Sequence, residues 1–432
     1  MLEIVVIADD LTGAADTGVQ CCPYFANTTL VSYRNLPSNR RTSASEALAI
    51  YTNSRSMKAE MARKRVRSLA RRLLAFQPRR VYKKVDSCLR GNVGAEVDAV
   101  MDEMGFELSF IAPAFPDMGR VTLHDAHMVH GRPVAETELS RDPVTPVTES
   151  RLSRIIASQS RYRVGHVDLR FLEGDYDAMV AQIDRLAAAG VRHLVFDAAR
   201  QAHLERTARI ALESPRNILL VGSAGLARGL MTHFPERRAL RGDEGHHFIG
   251  GYHLLVCGTV AEPTRLQISV LLEAYPYQLI SLPARLLLDP AQRDDLLLNA
   301  NQAQYILSRN NLIIRVGTGN TTEAAITKKP SLRKAEGIVR GFGLFVAEVL
   351  RETRPASLFL SGGDTATAVL RAIGAQGIRL HGEIVQGMAE GTLIGGLIDG
   401  LPVVTKAGAF GQRETLVALH EYWSKRRKGE SA

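Results

Sequence analysis

Residues 4–18 read IVVIADDLTGAADTG. Ile4 to Ala8 are a continuous apolar, β-branched run of the kind that forms a strand buried on both faces of a parallel sheet. Asp9 and Asp10 follow at its carboxyl end, then Thr12-Gly13, and a helical pattern begins near Ala14. Open α/β sheets bind ligands outside the carboxyl ends of their strands. One aspartate there reads best as a helix cap, as does Thr12. Two adjacent aspartates after a first strand point to a site.

Working outward, strand patterns recur at 28–33, 47–52, 80–85, 108–112, 164–167, 193–197 and 217–221. Helical spacing recurs at 14–22, 58–76, 93–103, 149–159, 175–189, 200–213 and 224–234. This βαβ rhythm predicts a mainly parallel, doubly wound sheet. Residues 113–148 break it with five prolines and several glycines, and are expected to form a long irregular excursion of functional use. Residues 235–251, PERRALRGDEGHHFIGG, lack apolar period and mark a boundary. The predicted domains are 1–235 and 252–432, joined by a linker over 236–251. The second half restarts at His253–Cys257, with strands near 278–281, 312–316, 357–360, 379–381 and 402–405. Its clearest helix lies at 333–352.

Composition narrows the function classes. Apolar residues make up 45% of the 432 and charged residues 23%, which is ordinary for a globular chain. No apolar run reaches a membrane-spanning length and no signal-like segment opens the chain, so a cytoplasmic protein without a membrane partner is expected. Cys21, Cys22, Cys88 and Cys257 form no C-x-x-C pair and read as reduced thiols. The net charge of +9 is one local feature: residues 58–84 carry eleven Lys and Arg against Glu60 alone. Val66, Leu69, Ala70, Leu73 and Leu74 keep helical spacing within it, and no aromatics interleave. The stretch therefore reads as an amphipathic helix with a solvated basic face, not a nucleic-acid surface.

Several strand ends carry chemistry. Arg55, in Asn53-Ser54-Arg55-Ser56, offers a planar fork that matches a carboxylate. Lys84, Val85, Asp86 and Ser87 close another strand, with Arg90 and Gly91 just beyond; alternation puts Lys84 and Asp86 on one side. A polyhydroxy acid is the simplest ligand. Lys84 and Arg55 would hold its carboxylate, and Asp10 and Asp86 would accept from its hydroxyls. His124, His127 and His130 are spaced by three but lack neighbouring acids other than Asp125, which disfavours a metal site. Val221-Gly222-Ser223-Ala224-Gly225 is a turn that fits an anion or a plain serine cap equally.

In the second half, Gly258-Thr259, Ser361-Gly362-Gly363-Asp364-Thr365 and Lys406-Ala407-Gly408-Ala409-Phe410-Gly411 each follow a strand. Glycines allow close approach to phosphate, a helix N-terminus favours negative charge, and Asp364 suits magnesium. Together they suggest a nucleotide phosphate site. Gly317-Thr318-Gly319 follows a strand but lacks the third glycine of a dinucleotide fingerprint and a clear helix start. Neither a P-loop motif nor a dinucleotide G-x-G-x-x-G is present.

IADDLTGAADTG, NSR, KVDS, the run Gly131 to Pro143, VGSAGLA, SGGDT and TKAGAFG occur here in that order. Over nearly the whole chain this resembles the four-carbon acid sugar kinase family, ATP-dependent enzymes that phosphorylate threonate, erythronate or 3-oxo-tetronate at the terminal hydroxyl. The resemblance implies an α/β fold of two domains, each a mainly parallel sheet flanked by helices, with the active site in the interdomain cleft. The N-terminal domain would bind the sugar acid and the C-terminal one the nucleotide. It places substrate contacts on Asp10, Arg55 and Lys84, Val85, Asp86 and Ser87, with Asp10 or Asp86 as catalytic carboxylate. It places ATP contacts at Gly258, Thr259, Ser361, Gly362, Gly363, Asp364 and Gly408, to which the glycine-loop reading adds Lys406, with Mg2+ on Asp364. Two departures stand out. Cys257 to Glu262 replaces the family's serine-rich G-S-x-S stretch, and Ala409 stands where glycine is common. Ala15 to Gln20, ADTGVQ, is more similar to the D-threonate kinases than to the 3-oxo-tetronate kinases, with D-erythronate as second choice. The partners so implied are a small sugar acid and ATP, with no nucleic acid; a homodimer is left open. The competing classes are a nucleic-acid binder acting through 58–84 and a nicotinamide-dependent sugar-acid dehydrogenase.

Overall fold

The computed structural model describes residues 2–36, 46–142, 144–236, 250–259, 261–317 and 332–427. Residues 237–249 of the expected linker, Thr318, Gly319 and Lys428 lie outside these. The chain divides into two compact units, Met1–Arg237 and Arg238–Ala432.

In the N-terminal unit the strands are β1 (Ile4–Ala8), β2 (Thr28–Ser32), β3 (Ala47–Tyr51), β4 (Arg80–Lys84), β5 (Leu108–Ala112), β6 (Arg120–Leu123), β7 (Ala126–Val129), β8 (Arg132–Pro133), β9 (Arg163–Val167), β10 (Val191–Phe196) and β11 (Ile218–Gly222). The helices are α1 (Leu11–Gly18), α2 (Ala59–Leu74), α3 (Val93–Met104), α4 (Leu152–Ala157), α5 (Leu169–Glu173), α6 (Tyr176–Ala188), α7 (Gln201–Glu213) and α8 (Ala224–Met231). The parallel sheet runs β2-β3-β1-β4-β11-β5-β10-β9. Every residue of β1 is buried, as its unbroken apolar run requires. The chain fills the sheet on both sides of β1, so the topological switch point, where such sheets bind ligands, falls at the carboxyl ends of β3, β1 and β4.

Two expectations need correction. Helix α1 starts at Leu11, not Ala14, because Asp10 caps it by accepting from the Gly13 amide at 3.0 Å. It stops at Gly18, short of the expected residue 22, where the chain tightens into a 3₁₀ turn. Residues 113–148 are not wholly irregular, since β6, β7 and β8 form an antiparallel sheet. Its hairpin turns are His124-Asp125 (φ 49° and 69°) and His130-Gly131 (φ 49° and 78°). Two-residue hairpins of this type, I′, need φ above zero at both central positions, a geometry usually signalled by Asn-Gly.

The basic stretch is absorbed within this unit. Helix α2 lies against α3, with Arg63–Asp98 at 2.9 Å, Arg67–Asp102 at 3.2 Å and Arg71–Glu103 at 2.6 Å. Its basic face is thus paired with acids as well as solvated.

In the C-terminal unit the strands are β12 (His253–Cys257), β13 (Tyr277–Pro283), β14 (Asn311–Gly317), β15 (Ser357–Ser361), β16 (Gly377–Glu383), β17 (Met388–Ile394) and β18 (Pro402–Lys406). The helices are α9 (Glu262–Ala274), α10 (Arg293–Leu307), α11 (Leu332–Glu352), α12 (Gly363–Ala372) and α13 (Thr415–Arg427). Strands β13-β14-β12-β15-β18 are parallel in that order. Strand β17, which the sequence reading missed, runs antiparallel to both β18 and β16. Leu255, Ile313, Phe359 and Val404 form the core with Leu419 and Trp423 of α13. Trp423 stacks on His253, ring centroids 4.3 Å apart. Among the described residues no helix is long and apolar enough to cross a membrane.

Candidate active site

Strands β3, β1 and β4 are neighbours, and Ala8 is in register with both Tyr51 and Lys84. Strands in a sheet lie about 4.8 Å apart. The residues that follow therefore emerge side by side: Thr52 to Arg55 from β3, Asp9 and Asp10 from β1, Val85 and Asp86 from β4. Asn53, at φ 50°, turns the chain so that Arg55 folds back over the two aspartates. Its guanidinium donates to Asp9 at 2.6 and 3.0 Å and to Asp10 at 3.0 and 2.8 Å, and lies 3.6 Å from Asp86. Asp86 is gripped bidentately by Arg90, at 2.8 and 3.0 Å. The Arg55 fork is thus filled by the protein's own carboxylates. Asp10 serves as helix cap and site group at once, accepting also from the Thr12 hydroxyl at 2.8 Å.

Burial alone would push these carboxyl groups up. For Asp86 the charges of Arg90 and Arg55, the hydrogen bonds of Arg90 and the charge of Lys84 outweigh it and hold the group far below the carboxylate range. For Asp9, Arg55, Lys83 and Lys84 do the same. Arg55 is buried too, yet Asp10, Asp9 and Asp86 raise its proton affinity well above the ordinary guanidinium value. Asp9 and Asp86 therefore stay ionised, acting as acceptors of hydrogen bonds.

Lys84 differs from its neighbours. Its side chain is buried, at 4% exposure. Among the described residues no carboxylate lies within ion-pair distance of its ammonium. The group rests against Gly13, where a methyl would lie 2.8 Å from Lys84 Nζ and 2.6 Å from Asp10 Oδ1. Gly13 is required because a side chain there would fill the space the two charged groups share. Val85 belongs to the core, and its amide donates to Gly222. Ser87 is buried, and its carbonyl accepts from His127.

Sequence reasoning missed the supports beneath these groups. Lys83, fully buried, pairs with Glu96 of α3 at 2.9 Å. Glu96 accepts from Ser54 at 2.6 Å, and Ser54 meets Thr52, which donates to Ala8 at 2.9 Å. Asn92 donates to the carbonyls of Ser54 and Met57, binding the Arg90 loop to the Arg55 loop. The signal was available in Lys83, a lysine in a run destined for a sheet interior, and in Glu96 on the apolar start of α3. The turn after β11 holds a cap rather than a vacant cradle: Ser223 Oγ accepts from Gly225 and donates to Ala114.

His127 ties the β6–β7 hairpin to this floor. Its Nε2 donates to Ser87 O at 2.8 Å, so the neutral ring accepts at Nδ1 from Thr122, 3.0 Å away. Burial pushes its pKa down to about 4 against the favourable hydrogen bond to Ser87. An unfolded histidine takes up its proton near 6.5. Between these values the unfolded chain binds more protons, so stability falls as pH drops through this window, by up to roughly 3 kcal/mol. The urea midpoint of the N-terminal unit is expected to fall between pH 7 and 4.5, and His127→Gln to flatten that slope. An unchanged slope in the variant would remove His127 as the cause. His124 Nδ1, Asp168 and Asp197 place ligand atoms within 4.8 Å of one another. Asp197 already accepts from the His124, Asp125 and Leu169 amides and from His166.

The C-terminal unit repeats the geometry. Strands β12, β15 and β18 are neighbours, with Cys257 level with Ser361 and Ser361 level with Lys406. The loops Gly258-Thr259, Gly362–Asp364 and Ala407–Gln412 therefore leave one sheet edge together. A methyl at Gly408 would lie 2.5 Å from Thr259 Oγ1, and one at Gly258 would strike Thr365 Oγ1. Gly362 caps α12 at φ 96°. The amides opening α12 and the exposed Asp364 in its first turn suit phosphate and a divalent cation respectively. Ser361 is fully buried, 3.3 Å from Thr264. Lys406 turns its ammonium inward, onto the carbonyls of Ala407 and Phe410 at 3.0 and 2.9 Å.

Comparison with known proteins agrees with this division. Residues 4–230 match the family model described as a sugar-binding N-terminal domain, and residues 254–416 that described as a nucleotide-binding C-terminal domain. The chain is 34% identical to the D-threonate kinase of Salmonella typhimurium, covering 96% of this chain and 97% of that protein. It is 29% identical to the D-erythronate kinase of Heliobacterium modesticaldum, over 98% and 97%. It is 26% identical to the 3-oxo-tetronate kinase of Escherichia coli K12, over 88% and 97%. A crystal structure from Salmonella typhimurium LT2, described as a candidate tRNA synthase, shares the fold with a TM-score of 0.81 at 24% identity, covering 98% of this chain and 100% of that one. The full-length matches, together with the two charged strand-end clusters, lead to one conclusion: the chain belongs to the four-carbon acid sugar kinase family.

Proposed function

We propose that the protein transfers the γ-phosphoryl group of ATP to the 4-hydroxyl of a four-carbon sugar acid, D-threonate foremost, with D-erythronate and 3-oxo-tetronate as the alternatives. The observation that carries this reading is the 34% identity, over 96% of the chain, to a D-threonate kinase. The geometry supports it. The buried ammonium of Lys84, with no carboxylate within ion-pair distance among the described residues, is the natural anchor for the acid's carboxylate, because Arg55 is already satisfied by Asp9 and Asp10. Asp10 and Asp86 accept from the hydroxyls and orient the 4-hydroxyl for in-line attack. Phosphoryl transfer of this kind relies on positioning and charge neutralisation. The low proton affinity of Asp86 suits it to hold the hydroxyl's hydrogen bond rather than to carry its proton away early.

Residues 1–235 form the acid-binding domain and 252–432 the nucleotide-binding domain in this reading. Gly258, Thr259, Gly362, Gly363 and Gly408 line the phosphates, the buried Ser361 lies behind them, and Asp364 holds Mg2+. Mg-ATP supplies the phosphoryl group and neutralises its charge when bound; the protein's own groups position the acceptor and exclude water. The test is ADP release with Mg-ATP and, separately, D-threonate, D-erythronate, L-threonate and 3-oxo-tetronate. D-threonate is expected to give the highest kcat/KM. Silence with all four acids, in protein that binds ATP, would overturn the acceptor.

A further inference from the structure

The loop Ala407–Gln412 is held from beneath. Lys406 Nζ donates to Ala407 O at 3.0 Å and Phe410 O at 2.9 Å, and lies 3.5 Å from Thr264 Oγ1. Thr264 donates to Gly408 O at 2.8 Å. Gln267 donates to Phe410 O at 3.1 Å and Gln412 O at 2.9 Å. Four loop carbonyls are thereby drawn into the protein. Among the described residues, the amides of Gly408, Ala409 and Gly411 have no intramolecular acceptor. A loop whose carbonyls face inward and whose amides are free repels a phosphate less and offers it more donors.

This arrangement is costly. Lys406 is 1% exposed, and among the described residues no carboxylate lies within ion-pair distance of it. Burial pushes its pKa down to about 8. Gln267 Oε1 is buried without a hydrogen-bond partner among the described residues. A methionine and a leucine would fill the same volume without these desolvation costs. The polar groups remain where their one shared effect is to fix the loop.

Resting on the nucleotide reading above, we infer that Lys406, backed by Thr264 and Gln267, is a positioning residue for nucleotide binding. It shapes the 407–412 loop from inside and does not touch phosphate. The test compares Lys406→Met, Lys406→Arg and Thr264→Val with wild type. ADP affinity is measured by calorimetry, KM for ATP and for the acid by turnover, and melting temperature separately. Lys406→Met is expected to weaken ADP binding and raise KM for ATP roughly tenfold or more, with acid KM within about twofold and the melting temperature not lowered. Lys406→Arg is expected to fail equally, because an inward site has no room for a guanidinium. Thr264→Val, which cannot touch phosphate through its methyls, is expected to shift ADP affinity in the same direction. Wild-type ADP affinity in Lys406→Met overturns the inference. So does rescue by arginine with Thr264→Val unaffected, the signature of direct phosphate contact. Wild-type protein that binds ADP but phosphorylates none of the acids leaves the inference standing on the ADP data while removing the proposed acceptor. Wild-type protein that binds no ADP overturns both.

Discussion

Arg55→Ala is expected to reduce kcat/KM for the sugar acid by more than about 100-fold and to destabilise the N-terminal unit by about 3–5 kcal/mol. Both effects have one cause. Arg55 neutralises Asp9 and Asp10 through four hydrogen bonds and lies 3.6 Å from Asp86. Removing it leaves three carboxylates facing one another with Arg90, Lys84 and the Glu96-paired Lys83 to balance them. Uncompensated buried charge is far more costly than the ion pair was favourable. The aspartates would spread or take up protons, and either response spoils the acceptor geometry for the hydroxyls. Arg55→Lys is expected to recover little, because a point charge cannot bridge two carboxylates bidentately. ATP affinity should be unaffected. Steady-state kinetics with varied acid, together with urea denaturation, check this. Wild-type kcat/KM for the acid in Arg55→Ala would dismiss the assigned role.

Lys84→Met should separate binding from stability. Lys84 is as buried as the groups around it, but its ammonium has no ion-pair partner among the described residues. Replacing it removes a desolvated charge but also one of the cations that hold Asp9 and Asp86 ionised; the two effects oppose, so the melting temperature is expected to change little. If the ammonium waits for the acid's carboxylate, KM for the acid rises by about 100-fold, the worth of one charge-assisted hydrogen bond in a buried site. Isothermal calorimetry with the acid alone reads this without turnover. A variant that melts lower and binds the acid normally would show that Lys84 stabilises the aspartates instead.

The strand ends were legible because each strand of the site is a short apolar run that stops abruptly at polar residues. Asp10, Arg55 and Lys84 could be named from that pattern alone. What was not legible is who pairs with whom. Arg55 reads as an open fork until β3 and β1 are seen side by side, because the aspartates that fill it lie some 45 positions earlier in the chain. The arginines of α2 read as a solvated face until α3 supplies Asp98, Asp102 and Glu103. The hairpin of β6 and β7 was hidden because its turn is His124-Asp125, which lacks the glycine that usually signals the required left-handed backbone. Strand β17 was hidden by Gly391, which lies so close to Ile378 and the Arg379 carbonyl that no side chain fits. Lys406 was legible as a loop lysine, but its direction was not, since that depends on Thr264 and the carbonyls of Ala407 and Phe410 meeting its ammonium.

The chain contains one tryptophan, Trp423, and it lies in the C-terminal unit stacked on His253. Intrinsic emission excited at the indole band is therefore a private optical channel for that unit. A denaturation followed by this light and one followed by circular dichroism, to which both units contribute, should coincide only if the two units unfold together. A gap between the curves would assign a separate melting transition to the N-terminal unit, with no label added to the protein.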